Sequence, residues 1–324
     1  MAEDGGVVRE AAPIPIIRMA LPSASARRPG LPAEIWQVEE TKEFDSYSNG
    51  LRIENRFAIR TRPRSYLAFS TARPDEMRGE PGSLPVGIVF HTTESLQAPF
   101  EASQNKVLKR VGESLAEYVR RRHSYNFLID RFGRVFRVVQ ESDTADHAGH
   151  SVWANEEHFY VNLNDSFLGV SFEAQTVAGQ EESQVSPAQL RGAGMLTEML
   201  RSRYRIPASN CVTHAQVSVN PSNMQVGYHT DWASSFPFEG VGLPDNYGAA
   251  SPALRLFGFQ YDASFAQRGG ARLQESAAEA EGQVRDWAAA EHLTLAAFRK
   301  RLQKRYWSLV GIVKRGAAPG SDAE

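Results

Sequence analysis

The sequence predicts an α/β fold followed by a helical C-terminal region. Three observations predict it. Between Val86 and Phe238, short apolar runs of strand length alternate with amphipathic helical stretches. Within that span, Ser186-Pro187-Ala188-Gln189 carries the capping serine, first-turn proline and third-position glutamine of a helix start. From Ser251 onward the composition turns to Ala, Glu, Gln and Arg with helical period.

Taken in order, residues 1 to about 35 are rich in Pro, Ala, Ser and Gly without period, and are expected to form a flexible leader. Residues 36–85 are irregular, with Phe57, Tyr66 and Phe69 scattered among arginines, and are expected to wrap the core that follows. Val86 to Phe90 reads as a buried strand. Leu108, Val111, Leu115, Tyr118 and Val119 recur at three- and four-residue steps, which predicts a helix over 105–122 with one inward face. Tyr125 to Asp130 and Arg134 to Val139 read as two strands joined by Arg131-Phe132-Gly133, a hairpin with glycine in its turn. Leu168 to Glu173 is a further strand, the helix capped by Ser186 runs to about Tyr204, and Cys211-Val212-Thr213 begins a short strand. The domain division is thus a leader (1–35), a main domain (36–250) and a separate helical region (251–324). In the last, Leu295, Phe298, Leu302, Tyr306, Leu309 and Val313 share one helix face. Residues 299–315 hold seven Lys or Arg and no acid, while the preceding segment holds Glu275, Glu279, Glu281, Asp286 and Glu291. That pattern predicts a helical hairpin of complementary charge. The alternative is a basic amphipathic face resting on an anionic wall polymer or membrane surface.

Composition excludes several classes. With 324 residues, 42% hydrophobic and 23% charged, the chain can bury a sizeable core and is neither disordered, collagen-like nor a disulfide scaffold. A net charge of -2 argues against nucleic acid as a partner. The single cysteine, Cys211, can form no internal disulfide and no cysteine zinc cluster. No run approaches the roughly 18 apolar residues of a membrane span, so no integral membrane segment is expected. The opening residues lack the positive charge and apolar length of a signal peptide. The protein is therefore expected to be cytoplasmic, or to be a mature form whose export signal is missing from the sequence shown. Gly-rich phosphate loops, HExxH and the GxSxG elbow are absent, which leaves nucleotide-driven and serine-hydrolase chemistry without support.

Three residues could carry metal chemistry. His91 follows the apolar run VGIVF at the end of a buried strand, His214 stands in a similar position after CVT, and Asp231 follows in GYHTDW. Two imidazoles and one carboxylate make a ligand set for Zn²⁺ that leaves a fourth position open, the arrangement of a catalytic site.

The surrounding words sharpen this. VGIVFHTTES, SYNFLIDRFGRVFRVV, DTADHAGHS, LGVSFEAQT, VTHAQVS and GYHTDW resemble, in order, the successive blocks of the zinc-dependent N-acetylmuramoyl-L-alanine amidases of type 2. That family includes phage lysozyme-type amidases and peptidoglycan recognition proteins, and the resemblance covers roughly residues 84–240. It implies a central mixed β-sheet flanked by helices. It implies His91, His214 and Asp231 as zinc ligands, with His229 a rival third ligand better placed to steady an oxyanion. Tyr125 matches a tyrosine that active members use near the metal. His147 and Gly149, in the HAG block, are implied to line the substrate groove, and Ser171 is assigned to the same role.

Two departures bear on mechanism. Where another branch has a catalytic glutamate, this chain has Ser171, which cannot act as that base. Strand alternation puts Glu173 on the same face, about 7 Å further along, where it could substitute through a water. The family's proline after the third ligand is replaced by Trp232. The expected function is zinc-dependent hydrolysis of the amide between N-acetylmuramic acid and L-alanine of the stem peptide, on peptidoglycan in the cell envelope or outside the cell. The alternatives are a binding module that recognises peptidoglycan without cutting it, and a cytosolic amidase recycling soluble muropeptides.

Overall fold

The structure is a computed structural model, and it describes residues 30–176, 185–261 and 263–316. Most of the expected leader, residues 1–29, lies outside the described residues.

The segment expected to be irregular contains five short strands: β1 (Gln37–Glu40), β2 (Phe44–Tyr47), β3 (Arg52–Glu54), β4 (Tyr66–Ser70) and β5 (Glu80–Gly82). Next come β6 (Gly87–Thr92), helix α1 (Asn105–Arg121) and the hairpin β7 (Phe127–Ile129) and β8 (Val135–Arg137). The strands β9 (Val152–Ala154) and β10 (His158–Val161), which the sequence reading missed, lead through α2 (Leu163–Ser166) into β11 (Phe167–Phe172). Helix α3 (Pro187–Tyr204) starts where its cap predicts: the Ser186 hydroxyl accepts from the Gln189 amide at 3.1 Å, and the Gln189 side chain accepts from the Ser186 amide at 3.0 Å. It is followed by β12 (Cys211–Thr213), α4 (His214–Val217) and the small ribbon β13 (Val219–Asn220) and β14 (Gln225–Val226).

Eight strands form one mixed sheet in the order β1-β2-β3-β8-β7-β11-β6-β12, and β5-β4-β10-β9 form a second. At the heart of the first sheet β7, β11, β6 and β12 run parallel, with Ser171 opposite both His91 and Leu128, and Thr213 opposite Phe90. A strand covered on both faces reads as a continuous apolar run, and all six residues of β6 are buried. One face of the sheet, carrying Phe90, Phe127 and Phe172, packs against Leu196, Met199 and Leu200 of α3. The other face, carrying Leu128 and Phe136, packs against Ala116 and Val119 of α1. Because side chains alternate along a strand, the register puts His91 and Ser171 on the α1 face beside Leu128.

The C-terminal part consists of α5 (Ala253–Phe257), α6 (Ala263–Arg268), α7 (Ala271–Ala290) and α8 (Leu295–Gly316). The sequence reading set it apart as a separate region. In the structure α8 packs on β4 and β10, and Tyr306 and Leu309 join the same hydrophobic core as Phe236 and Trp232. Tyr306 meets Phe257 and Phe259 edge-on at 5.5 and 5.0 Å. α7 and α8 pack together with ion pairs Arg299–Glu281 and Arg301–Glu291, the charge complementarity expected of a hairpin. Arg305 instead reaches Asp75 at 2.6 Å. No helix among the described residues is long and apolar enough to cross a membrane.

Candidate metal centre

Three segments converge on the α1 face of the sheet. β6 supplies His91; His214 is the first residue of α4, directly after β12; and Asp231 lies in the loop after β14. The Thr213–Gln216 capping box fixes the start of α4, and with it the direction of the His214 side chain. Asp231 is held by its own carbonyl, which accepts from the Ala215 amide at 3.3 Å. The next residue, Trp232, has left-handed backbone (φ 57°), a conformation closed to proline, whose ring locks φ near −65°. The tryptophan that replaces the family's proline therefore belongs to a different loop geometry. Its carbonyl accepts from the Tyr247 hydroxyl at 2.7 Å, and its indole packs edge-on against Phe172 and Phe236.

His91, His214 and Asp231 each present one donor atom, and all three atoms lie within 4.8 Å of one another. Asp231 spans the pair: Oδ2 is 3.2 Å from His91 Nδ1 and Oδ1 is 2.9 Å from His214 Nδ1. All three residues are buried. Burial works against ionisation of the Asp231 carboxyl, but the His214 imidazole at Oδ1, by its charge and its hydrogen bond, outweighs it and holds the group well below the usual carboxylate range. Burial and the neighbouring His214 push His91 down to about 4, so its ring is neutral near pH 7. His214 Nε2 is buried with no hydrogen-bond partner. Two imidazole nitrogen donors, a committed carboxylate and an orphaned polar atom fit a divalent cation of zinc's preferences.

The model of the N-acetylmuramoyl-L-alanine amidase family matches residues 81–231, a span that opens just before β6 and closes on Asp231. This segment is a type 2 amidase domain. The protein is accordingly a hydrolase of the amide bond for which the family is named. Among solved structures, AmpD, in a selenomethionine derivative, is 23% identical over 58% of this chain and 93% of its own, with a TM-score of 0.35. AmpDh3 from Pseudomonas aeruginosa, solved in complex with an anhydromuramic pentapeptide, is 22% identical over 49% of this chain and 58% of its own, with a TM-score of 0.34. AmiD from E. coli, solved with the substrate anhydro-N-acetylmuramic acid-L-Ala-D-γ-Glu-L-Lys, is 20% identical over 62% and 65%, with a TM-score of 0.36. No curated protein matches the chain.

The remaining expected residues of the amidase domain fall into two groups. Tyr125 and His229 stand at the metal centre. The Tyr125 ring lies 4.9 Å from that of His91, on left-handed backbone (φ 59°). Burial, with Asp231 adding to it, raises the phenol far above its ordinary range, so the hydroxyl keeps its proton. His229, exposed, stacks on His214 at 4.4 Å and 18° between ring planes. Partial desolvation against that ring, together with its charge, lowers the His229 pKa.

Glu173 and Ser171 are placed differently. Glu173 is buried beneath α1, where Oε2 accepts from the Arg131 amide at 3.3 Å and would lie 3.2 Å from a Cβ on Gly112. It makes no hydrogen bond or ion pair with His91, His214 or Asp231. Ser171 lies beside His91 and faces the Tyr125 phenol, but it is fully buried, so it presents no surface to a substrate. His147 was expected to line the groove; its ring is instead buried, with Nδ1 3.1 Å from His91 Nε2 and Nε2 3.3 Å from the Phe167 carbonyl oxygen. Gly149 is exposed on left-handed backbone (φ 49°) with open space around it.

Two residues that the sequence reading passed over build this corner. The side-chain oxygen of Asn164 accepts from the amides of His147, Ala148 and Gly149 at 2.9, 2.6 and 3.2 Å, pinning the HAG segment. A Cβ on Gly169 would lie 2.6 Å from the His147 ring, so only glycine leaves room for it. Asn164 falls in a four-residue helix with no sequence signature, and Gly169 resembles any glycine inside a strand.

Proposed function

We propose that the protein is a zinc-dependent amidase hydrolysing the bond between N-acetylmuramic acid and the L-alanine of peptidoglycan stem peptides. The observation that carries this reading is the convergence of two buried imidazoles and a buried carboxylate on one point within 4.8 Å. His91, His214 and Asp231 would hold the ion. Zinc bound there supplies Lewis acidity toward the scissile carbonyl and lowers the pKa of a coordinated water. Tyr125 keeps its proton and stands beside His91, so its hydroxyl can donate to the oxygen that gains charge as the carbonyl is attacked. His229, on the open side of His214, offers a second ring N–H to the same developing charge. Gly149, exposed two residues along from His147 with open space around it, leaves room for a peptide backbone to approach closely. Ser171 leaves the strand without a carboxylate, and Glu173 is engaged with the Arg131 amide, so proton delivery to the leaving amine falls to solvent or His229.

The substrate is proposed to be peptidoglycan or its soluble muropeptides. Three arginines of α8 are matched by Glu281, Glu291 and Asp75, which supports the hairpin reading over a basic docking face.

The test is release of stem peptides from purified cell wall, followed by mass spectrometry. Chelation should abolish release and added zinc should restore it, and Asp231→Ala should lose more activity than the 10–100-fold typical of outer-shell changes. Unchanged release after metal removal would rule out the metal chemistry. Wild-type protein that binds wall fragments with zinc present but never cleaves them would establish a recognition module instead. Comparing intact sacculi with soluble fragments separates an envelope enzyme from a recycling one.

A further inference from the structure

We infer that His147 is a positioning residue for the metal centre: it fixes the tautomer of His91, so that Nδ1 is the bare nitrogen turned toward Asp231 and the ion. The inference rests on the metal reading of His91, His214 and Asp231.

The relay of hydrogen bonds starts at Phe167. Its carbonyl oxygen can only accept a hydrogen bond, so the proton of His147 sits on Nε2, 3.3 Å away. A buried imidazole with no carboxylate in contact is neutral and carries one N–H, which leaves His147 Nδ1 as an acceptor. Facing it at 3.1 Å is His91 Nε2, which must therefore donate. With its Nε2 donating to His147, a His91 that ligates an ion keeps its lone pair on Nδ1. That lone pair points at the Asp231 carboxylate, 3.2 Å away. Two acceptors face to face repel each other, and a cation between them turns the contact into two attractive ones.

Without His147 the balance reverses. The Asp231 carboxylate would draw the His91 proton onto Nδ1, making a hydrogen bond that occupies the metal's donor atom. An ion would then have to displace that proton before binding. The relay from Phe167 through His147 to His91 removes this competing state in advance.

Two further features keep the relay in place. The Asn164 side chain holds the backbone at His147, and the missing side chain of Gly169 provides the slot for the ring. Both rings are buried, so water does not compete for the inter-ring bond.

The test reads the metal and the tautomer rather than turnover. In zinc-loaded wild-type protein, long-range ¹H–¹⁵N spectra should show His91 coordinating through Nδ1 with its proton on Nε2. His147→Phe, which keeps a ring but loses the acceptor, should weaken zinc binding roughly 10–100-fold in a competition with a chromophoric chelator. His147→Gln, whose amide can accept from His91 and donate to Phe167, should recover part of that loss. Coordination of His91 through Nε2 in the wild type would overturn the inference without any variant. Zinc binding by a folded His147→Phe protein at wild-type strength would overturn it too. A His91→Ala control separates the two levels: if it holds zinc as tightly as wild type, the metal reading itself fails.

Discussion

Tyr125 combines left-handed backbone with a phenol held against the His91 ring. A non-glycine residue in that conformation costs of the order of 1–2 kcal/mol, so the surrounding contacts must impose it. If the hydroxyl donates to developing charge, Tyr125→Phe should lower kcat about 100- to 1,000-fold and leave KM nearly unchanged, measured on a defined muropeptide. A drop in affinity at constant kcat would make Tyr125 a substrate contact instead. Glu173 yields a prediction about pH. Burial raises its carboxyl from about 4.5 to about 7, against the hydrogen bond from the Arg131 amide. Between those values the folded protein holds a proton that the unfolded chain has released, so this group's contribution to stability falls as pH rises through the window. Glu173→Gln has no such titration, and its unfolding free energy in urea should be flatter from pH 4.5 to 7 and higher than wild type at pH 8. At this scale the cluster of His91, His214 and Asp231 was legible because the two histidines each follow an apolar strand run and Asp231 lies in a recognisable block. The role of His147 was not, because a ring's partner depends on the fold and not on its neighbours in sequence.

Elements with strong local signals appear where the sequence puts them. The α3 cap is one such case, and its Ser186 hydroxyl also donates to the Arg131 carbonyl at 2.7 Å, tying the helix start to the β7–β8 turn. Ser186→Ala should therefore cost at least the ~1 kcal/mol of a lost cap, with a melting temperature lower by a few degrees. An unchanged melting curve would mean that the cap and the turn contact carry no net stability. The strands β1 to β3 went unread for a physical reason. They are three or four residues long, with sequences such as QVEE and RIE, and join the sheet at its edge through backbone pairing and the buried Arg137–Asp45 ion pair. Neither feature leaves an alternating apolar pattern. β6 shows the opposite: four apolar or small residues in a row announce a covered central strand, and His91 near its far end inherits that rigid seat.

Across the whole molecule, the C-terminal helices close the core that the amidase domain leaves open. Phe298, Leu302, Tyr306 and Leu309 are all buried. At about 1.5–3 kcal/mol each, their burial is comparable with the ~5–15 kcal/mol by which a folded domain is stable. A chain ending at Thr294 should consequently lose cooperative melting and turn insoluble or molten, read by near-ultraviolet circular dichroism and calorimetry. A truncated protein that melts sharply and still cleaves muropeptides would make the helices an appendage. Helical period and charge pattern announced these helices, but not what they cover, since one apolar stripe suits a partner helix or a sheet equally well.

The backbone at Trp232 has a consequence for engineering. In the family pattern a covalent ring stiffens the turn after the third ligand; here the same turn is stiffened by an indole wedged between Phe172 and Phe236. The seat of the Asp231 carboxylate and the solidity of the interior thereby become a single trait. Repacking the aromatic interior for heat resistance would shift the Asp231 carboxylate, and grafting a proline in at 232 would break the loop it was meant to tighten.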